Sequence, residues 1–304
     1  MESVNQTTLG EFILLAFSDL GQLQHLLFFI ILSVFIICIV GNVTIIILVK
    51  TEPSLHTPMY FFISVLSALE TTFVSSIIPK LLANLIVADR KISFIGCFFQ
   101  AFTSHTLGTA ECYLLAVMAF DRHLAINNPL NYLTIMTYEF SVKLAFLPLI
   151  VGFVCIIIPT ILIAGLDFCG PNKINLFYCD LVVVQSLACS YYSISQAVTS
   201  FMAFISTVVP FTIIIGFYVH IIIIILLIQS PNGKVRAFST CSSHLSVTCL
   251  YYITGIIVYV IPKGKTYDKF LALLYTVITP LLNPFIYTYR NKDVKKALLK
   301  LTSY

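Results

Sequence analysis

The chain has 304 residues, of which 59% are hydrophobic and only 10% are charged. Soluble proteins carry about 25% charged residues, so this composition excludes a large soluble domain and a disordered chain. The net charge of +4 comes from basic residues scattered along the chain, which does not indicate a nucleic-acid-binding surface. The chain is predicted to be a polytopic membrane protein.

Long charge-free stretches predict seven membrane helices, since a helix needs about 20 apolar residues to cross a bilayer. The apolar runs are continuous and do not alternate with period two, which excludes an outer-membrane barrel. The predicted spans are residues 26–49, 58–82, 97–121, 143–166, 194–228, 237–261 and 270–289. We therefore predict an all-α seven-helix bundle over residues 26–289, with an N-terminal segment, 1–25, and a tail, 290–304, in one domain.

The distribution of basic residues predicts the orientation. Residues 1–49, up to the end of the first predicted helix, contain no Lys or Arg, whereas the tail is basic. Positively charged flanks remain in the cytoplasm, so the C-terminus is predicted inside and the N-terminus outside. Asn5 begins an Asn-X-Thr sequence that would then be available for glycosylation. The bases of the tail are Arg290, Lys292, Lys295, Lys296 and Lys300.

The nine cysteines form two groups. One group lies on the predicted outer side, an oxidising compartment in which disulfides persist; it contains Cys97, Cys169, Cys179 and Cys189. The other group is interpreted as small buried hydrophobic side chains; it contains Cys38, Cys112, Cys155, Cys241 and Cys249. The spacing of Cys and His residues indicates no zinc site.

Two carboxyl groups are predicted at similar depth in the second and third helices. At about 1.5 Å per residue, Glu111 lies roughly 21 Å from Cys97, and Glu70 lies about 18 Å from Pro58. A carboxylate buried in a membrane is costly unless it pairs, protonates or binds a cation. Three interpretations remain open: a site for Na⁺ or water shared with Asn283, one protonated and hydrogen-bonded carboxyl group, or a misplaced span.

Two polar motifs lie near the cytoplasmic ends of helices. Residues 121–123, Asp-Arg-His, end the third helix and are either a solvated ion pair at the membrane boundary or a functional motif. In the seventh helix, Pro284 removes a backbone hydrogen bond, and Asn283 can satisfy the freed groups, so a hinge is predicted there. Pro210 in the fifth helix is either a second hinge or a packing residue.

Five motifs in chain order resemble those of vertebrate olfactory receptors, in the rhodopsin-like class of G-protein-coupled receptors. The resemblance covers residues 41–298. It implies a plasma-membrane odorant receptor that activates a heterotrimeric G protein with a stimulatory, olfactory-type alpha subunit and signals through cyclic AMP. The motifs are Gly41-Asn42, LHTPMYFF from Leu55, MAFDRHLAI from Met118, KVRAFSTCSSHL from Lys234 and PLLNPFIY from Pro280.

The resemblance assigns signalling roles to residues of the cytoplasmic half. Arg122 would release from Asp121 on activation and face the G protein, and Tyr218 and Tyr287 would move in to support the open state. The sixth helix would move outward, and the resulting cleft would be lined by Arg122, Lys234 and Arg236. Residues 291–301 suit an amphipathic helix on the inner leaflet.

The resemblance also implies two disulfides. Cys97 and Cys179 would tie the third helix to the second outer loop, and Cys169 and Cys189 would form the additional bridge typical of olfactory receptors. Such bonds stabilise a fold by about 2 to 4 kcal/mol. Here they would mainly fix the lid over the ligand pocket.

The sequence departs from the family pattern at three places. His123 stands where Tyr is usual, which makes the surroundings of Arg122 pH-sensitive in principle. Glu70 stands where Asp is usual, and its longer side chain should change the geometry of the cation site. Tyr251-Tyr252-Ile253-Thr254 stands where Phe-Tyr-Gly-Thr is usual, so a bulky Ile253 occupies a glycine position, and the backbone mobility and pocket floor usual for the family are not expected here.

The ligand is expected in the outer half of the bundle. No acidic residue lies where amine receptors carry their counter-ion on the third helix, because Ser104 is there, so a neutral or weakly polar odorant is predicted. Each lining residue alone could equally be a packing residue, and His105 is the first to test. The predicted lining residues are Ser104, His105, Gly108, Thr109, Met202, Ser206, Tyr252, Gly255, Ile256, Tyr259 and Thr276.

Two other classes of protein are alternatives to a receptor. A transporter or cation channel would also carry intramembrane carboxyl groups, but it predicts symmetry between the two halves of the chain, which the sequence lacks. An intramembrane enzyme would need metal-binding or nucleophile motifs, which are also lacking. The sequence therefore favours a receptor that is not an enzyme and has no cofactor apart from the cation considered for Glu70 and Glu111.

Overall fold

Long helices make up most of the structure, a computed structural model that describes residues 10–87, 89–169, 171–190, 192–260, 268–290 and 292–302. Each predicted span falls on one helical segment. The first six helices are α1 (Leu23–Thr51), α2 (Pro58–Ile86), α3 (Phe94–Asn127), α4 (Tyr138–Ala164), α5 (Ser193–Leu227) and α6 (Pro231–Val260).

The next helical segment, α7 (residues 268–290), is interrupted by a π turn. Its parts are Asp268–Leu273, the π turn Leu274–Ile278, and Thr279–Arg290. A π turn widens a helix locally and is frequent at functional sites. After α7 comes α8 (Lys292–Thr302), which buries Val294 and Ala297 and exposes Lys295 and Lys296, as an amphipathic helix should.

Within the part of the chain that the structure describes, five helical segments are long and apolar enough to cross a membrane by themselves: α1, α2, α4, α5 and the stretch Lys269–Thr288 of α7. Helix α3 is more polar because it carries Glu111, Asp121 and Arg122, all of which are buried inside the bundle. Polar groups are tolerated at membrane depth when they face the interior of a bundle. Helix α3 is accordingly packed between α2, α4 and α5.

A small sheet covers one end of the bundle, which we call the sheet end. Strand β1 (Glu11–Leu14) is central, antiparallel to β2 (Lys91–Ser93) and parallel to β3 (Lys173–Ile174). The sheet joins the N-terminal segment, the α2–α3 loop and the α4–α5 loop. Short 3₁₀ helices at Ser18–Leu20 and Pro53–Leu55 lead into α1 and α2.

The N-terminal segment is also anchored to α7. Asp19 accepts a hydrogen bond from Lys269, which is only 6% exposed, and the ammonium of Lys269 lies 5.5 Å from the ring centre of Phe17. This hydrogen bond lowers the pKa of Asp19 below its usual value of 3.8. The segment after β1 is therefore held to the sheet end by charge and by aromatic packing.

Both predicted disulfides are present at the sheet end. The bond Cys97–Cys179 joins the first turn of α3 to the α4–α5 loop, and the bond Cys169–Cys189 closes a ring within that loop. The short helix Leu181–Gln185 begins two residues after Cys179. The loop is thereby fixed over the bundle.

Helices α3 and α4 approach each other closely at Gly152. A Cβ atom at this position would lie 2.5 Å from the carbonyl oxygen of Thr106 and 3.3 Å from the amide nitrogen of Ala110. Only glycine therefore fits without moving the backbones apart. Small residues allow such close approach between membrane helices.

Two expectations about α6 are wrong. Cys249 is exposed, whereas the other free cysteines are buried as expected. Ile253 is 56% exposed and does not narrow the pocket floor. The reason is common to both: positions four residues apart share one face of a helix, and this face points away from the bundle.

Candidate functional site

A cavity of about 760 Å³ opens between α3, α5, α6 and α7. Its volume is in the range of small-molecule sites. Loop residues Tyr178, Leu181 and Val182 border it, so it lies in the half of the bundle nearest the sheet end, below the disulfide-bonded loop. Aliphatic and aromatic side chains form most of its wall, and hydroxyl groups are scattered among them.

All predicted ligand residues whose side chains the structure describes line this cavity. The side chain of Tyr259 lies outside the described residues. The residues brought together are Ser104, His105, Gly108, Thr109, Met202, Ser206, Tyr252, Gly255, Ile256 and Thr276.

His105 is fixed at both ring nitrogens. Its Nδ1 lies 2.8 Å from the carbonyl oxygen of Ala101, and its Nε2 lies 3.5 Å from Oδ2 of Asp180. The buried carboxylate of Asp180 also accepts hydrogen bonds from the amides of Val182 and Val183. Sequence reasoning missed Asp180, although it directly follows Cys179, which the disulfide holds against α3.

Tyrosine hydroxyl groups form a second polar feature of the cavity wall. Tyr251 donates to the carbonyl oxygen of Gly108 at 2.9 Å, and Tyr275 donates to Tyr251 Oη at 2.9 Å. Within the described residues, the buried Tyr252 Oη and Ser206 Oγ meet no hydrogen-bond partner. Sequence reasoning missed Tyr251 and Tyr275 as cavity residues. The feature that could have indicated this site is the hydroxyl group of Tyr251, at a position where the family usually has Phe.

A cluster of oxygen atoms lies deeper in the bundle, around Glu70. Asn283 Nδ2 donates to Glu70 Oε1, and Asn42 and Glu111 lie beside Glu70. Among the described residues, four buried oxygens of this cluster lack a hydrogen-bond partner: Glu70 Oε2, Glu111 Oε1, Asn283 Oδ1 and Asn42 Oδ1. Carboxylate and amide oxygens are the ligands of hard cations, so this donor set fits a cation.

The end of α3 far from the sheet holds a buried ion pair. Arg122 Nε donates to Asp121 Oδ2 at 3.0 Å, and Tyr132 Oη donates to Asp121 Oδ1 at 2.7 Å. Asp121 is fully buried and Arg122 is 9% exposed, so the interpretation as a solvated pair is wrong. Tyr132 belongs to the short helix Tyr132–Ile135 in the α3–α4 loop, and this loop shields the pair from water.

Two further contacts join helices at this end. Tyr218 of α5 and the fully buried His244 of α6 form a hydrogen bond of 2.6 Å between Oη and Nδ1, close to Arg122. His123 of α3 and His220 of α5 lie 2.6 Å apart, Nε2 to Nδ1. Sequence reasoning missed His244 and His220, although His244 is the next-to-last residue of the KVRAFSTCSSHL run.

The remaining predicted residues differ in burial, and some lie outside the described residues. Asn283 and Tyr287 are buried in α7, where Pro284 lies inside the helix. Lys234 is partly exposed near the start of α6. The side chain of Arg236, and Asn5 altogether, lie outside the described residues.

Comparison with known proteins agrees with this geometry. A family model described as olfactory receptor matches residues 31–303. The chain is 43% identical to olfactory receptor 6E1 of Mus musculus, across 96% of this chain and 95% of that relative. It is 43% identical to olfactory receptor 6F1 of Homo sapiens (99% and 98% covered) and 41% identical to olfactory receptor 6N1 of Homo sapiens (98% and 96% covered).

Olfactory receptors are signalling receptors and not enzymes, and their general partners are odorants and G proteins. The bundle, the cavity, the two disulfides and the full-length similarity agree with one another. The chain is therefore a multi-pass membrane protein that belongs to the olfactory receptor family.

Proposed function

We propose that the chain detects a small, neutral or weakly polar odorant in the cavity and signals through a stimulatory, olfactory-type alpha subunit to raise cyclic AMP. The observation that carries this proposal is the chemistry of the cavity wall, which is apolar with hydroxyl groups and has Ser104 of α3 where a counter-ion for an amine would lie. Asp180 is not a bare counter-ion, because it faces His105 and caps a short helix.

Signalling follows from a shift in population. An agonist favours the active bundle only by binding it more tightly than the resting bundle. This arrangement of the bundle is a resting one, since Arg122 is held by Asp121, which Tyr132 also binds. On activation α6 moves outward, and Arg122 is freed to face the G protein beside Lys234 and Arg236. Tyr218 and Tyr287 then support the open state.

The proposed orientation places the sheet end outside the cell and α8 on the inner leaflet of the plasma membrane. Both disulfides then lie in an oxidising compartment, and the basic tail lies in the cytoplasm, as the distribution of charge requires. Asn5 is then on the glycosylated side.

We further propose that Glu70, Glu111 and Asn283 hold Na⁺ in the resting bundle. A bound cation supplies the positive charge that neighbouring buried carboxylates otherwise lack. The oxygens that lack hydrogen-bond partners support this assignment.

The experiment is a screen of chemically diverse odorants on cells that express the chain with the stimulatory alpha subunit, read as cyclic AMP. We expect at least one odorant to give a dose-dependent rise that Arg122→Ala abolishes at equal surface abundance. A response carried by an ion current that Arg122→Ala leaves intact, or no response to any odorant, would contradict the proposal.

A further inference from the structure

One tyrosine hydroxyl group on the cavity wall joins three helices. Tyr251 of α6 donates a hydrogen bond of 2.9 Å to the carbonyl oxygen of Gly108 in α3, and it accepts one of 2.9 Å from Tyr275 of α7. All three residues line the cavity. The hydroxyl group is therefore a tie between helices that an entering molecule can reach.

The backbone at both partners permits this contact. Gly108 has no side chain to cover its carbonyl oxygen, and a Cβ atom there would lie 3.7 Å from Tyr251 Oη. A carbonyl oxygen has two lone pairs, so it can accept this bond in addition to one within its helix. Tyr275 lies in the π turn Leu274–Ile278, which changes the direction of its side chain relative to a regular helix.

The hydroxyl groups around the tie favour one kind of ligand. Tyr251 and Tyr275 both use their protons as donors, and the buried Tyr252 Oη, also on the cavity wall, meets no partner among the described residues. A molecule that enters the cavity therefore meets the O–H group of Tyr252, which is free within the described part of the chain, and beside it the O–H group of Tyr251, which becomes available when its hydrogen bond to Gly108 breaks. The chemical group that such a site accepts is a hydrogen-bond acceptor: a ketone, aldehyde, ester or ether oxygen.

We propose that the Tyr251 hydroxyl group transmits occupancy of the cavity to α6. In the empty protein it ties α6 to α3 and α7 and so opposes outward movement of α6. An agonist with an acceptor oxygen accepts the hydrogen bond that Tyr251 otherwise donates to Gly108, and the 2.9 Å bond to α3 is lost. The proposal rests on the proposed function, because there the G protein senses the outward movement of α6.

The first test needs no ligand. Tyr251→Phe keeps the ring and removes both 2.9 Å hydrogen bonds, together with the 3.7 Å contact from Cys112 Sγ. We expect the ligand-independent cyclic AMP level per surface receptor to rise about threefold for each of the two 2.9 Å bonds lost. Tyr275→Phe removes the bond between Tyr251 and α7, leaves the bond to Gly108 in place, and should give the smaller rise. The matched control is Tyr113→Phe, which removes a bond of equal length between α3 and the Ile205 carbonyl of α5 and leaves α6 untouched.

Hydrogen exchange of the α6 amides around Tyr251 in purified receptor separates this proposal from the proposed function. We expect faster exchange in Tyr251→Phe than in Tyr113→Phe whether or not a G protein couples. If exchange becomes faster and the cyclic AMP level does not rise, the role of Tyr251 in holding α6 is supported and the proposed coupling to the G protein is refuted. If Tyr251→Phe behaves like Tyr113→Phe in both measurements, the tie is refuted.

The second test uses straight-chain ketones and the alkanes of equal length as probes. In the parent receptor we expect ketones to act at lower concentrations than the matched alkanes. In Tyr251→Phe this advantage should shrink about threefold or more. An undiminished advantage, or a parent receptor that responds to the alkanes as well as to the ketones, would overturn the assignment of Tyr251 to an acceptor group.

Discussion

His105 is a cavity residue whose ring is held on two sides. Its ring bridges the Ala101 carbonyl oxygen and the buried Asp180 carboxylate, so it joins α3 to the loop that covers the cavity. A residue held at both nitrogens presents a fixed surface to a ligand. Its position also couples the shape of the cavity to the conformation of the loop.

We expect His105→Ala to raise the EC50 of cavity agonists about fivefold, which corresponds to the loss of one net hydrogen bond of about 1 kcal/mol. The measurement is the cyclic AMP dose–response at matched surface abundance. His56→Ala is the control, because His56 is exposed and contacts the Lys50 carbonyl oxygen far from the cavity. Unchanged potency for every agonist would make His105 a packing residue.

The carboxyl cluster gives a prediction about salt. If Glu70 and Glu111 hold Na⁺ in the resting bundle, replacing external Na⁺ with choline should increase agonist potency in the parent receptor, since a ligand of the resting state opposes activation. Glu111→Gln should remove this dependence. Glu139→Gln is the control, because Glu139 lies on the exposed face of α4 and pairs with Lys143. The same sodium dependence in all three receptors would contradict the cation site.

Sequence reasoning recovered the residues that stand out chemically from their surroundings. Glu70 and Glu111 were visible because carboxyl groups are rare within apolar runs. Asp180 was hidden, since an acid in a polar loop is ordinary until the disulfide brings it to His105. Tyr275 was hidden because a tyrosine within an apolar helix is usually a packing residue, and only the folded bundle brings it to Tyr251.

At the scale of helices, the contact between α3 and α4 depends on Gly152. We expect Gly152→Ala to destabilise the purified receptor by about 1 to 3 kcal/mol, because the new methyl group would collide with the Thr106 carbonyl oxygen and force the helices apart. Thermal unfolding in detergent measures this effect as a lower Tm.

Gly216→Ala is the matched control, since a Cβ atom at Gly216 in α5 would meet nothing within 4 Å. Alanine favours helix by about 1 kcal/mol over glycine, so this variant should unfold at the same or a higher temperature. Equal decreases of Tm in the two variants would show that α3 and α4 are not in close contact at Gly152.

The N-terminal segment gives a pH-dependent prediction. A carboxyl group whose pKa is lowered by folding stabilises the fold above its unfolded pKa, and this contribution is lost as the pH falls through the lower folded value. Asp19, whose pKa is lowered by Lys269, should therefore hold the segment in place at neutral pH and down to about its ordinary value of 3.8.

We expect Asp19→Asn to speed hydrogen exchange of the β1 amides at pH 7 relative to the parent receptor. The difference between the two should persist to about pH 4 and disappear below the lowered pKa, where Asp19 is neutral in the parent as well. No difference at pH 7 would mean that the contact with Lys269 does not retain the segment.

The elements that could be predicted are those with a long-range physical signal. Apolar runs of membrane length located all the long helices, and the basic, amphipathic tail located α8. The strands have only two to four residues, too short for an alternating pattern, and they form because the disulfide-bonded loop, the α2–α3 loop and the N-terminal segment meet. The π turn in α7 has no sequence pattern that distinguishes it from a regular helix.

In the whole molecule, helix α6 connects two distant regions. The cavity lies near the sheet end, and the ion pair of Asp121 and Arg122 lies at the other end of α3. Helix α6 reaches both, since Tyr251 borders the cavity and His244 binds Tyr218 near Arg122. A displacement of α6 at the cavity can thus be sensed by a G protein at the far end.

The most direct measurement is the cyclic AMP dose–response of Gly255→Leu. A Cβ atom at Gly255 fits against Tyr275 at 3.9 Å, and the rest of a leucine side chain would fill part of the cavity. Gly216→Leu, on the open side of α5, is the control. The account predicts at least a tenfold higher EC50, about 1.4 kcal/mol, for Gly255→Leu alone at equal surface abundance. An unchanged dose–response for every agonist would contradict binding in this cavity.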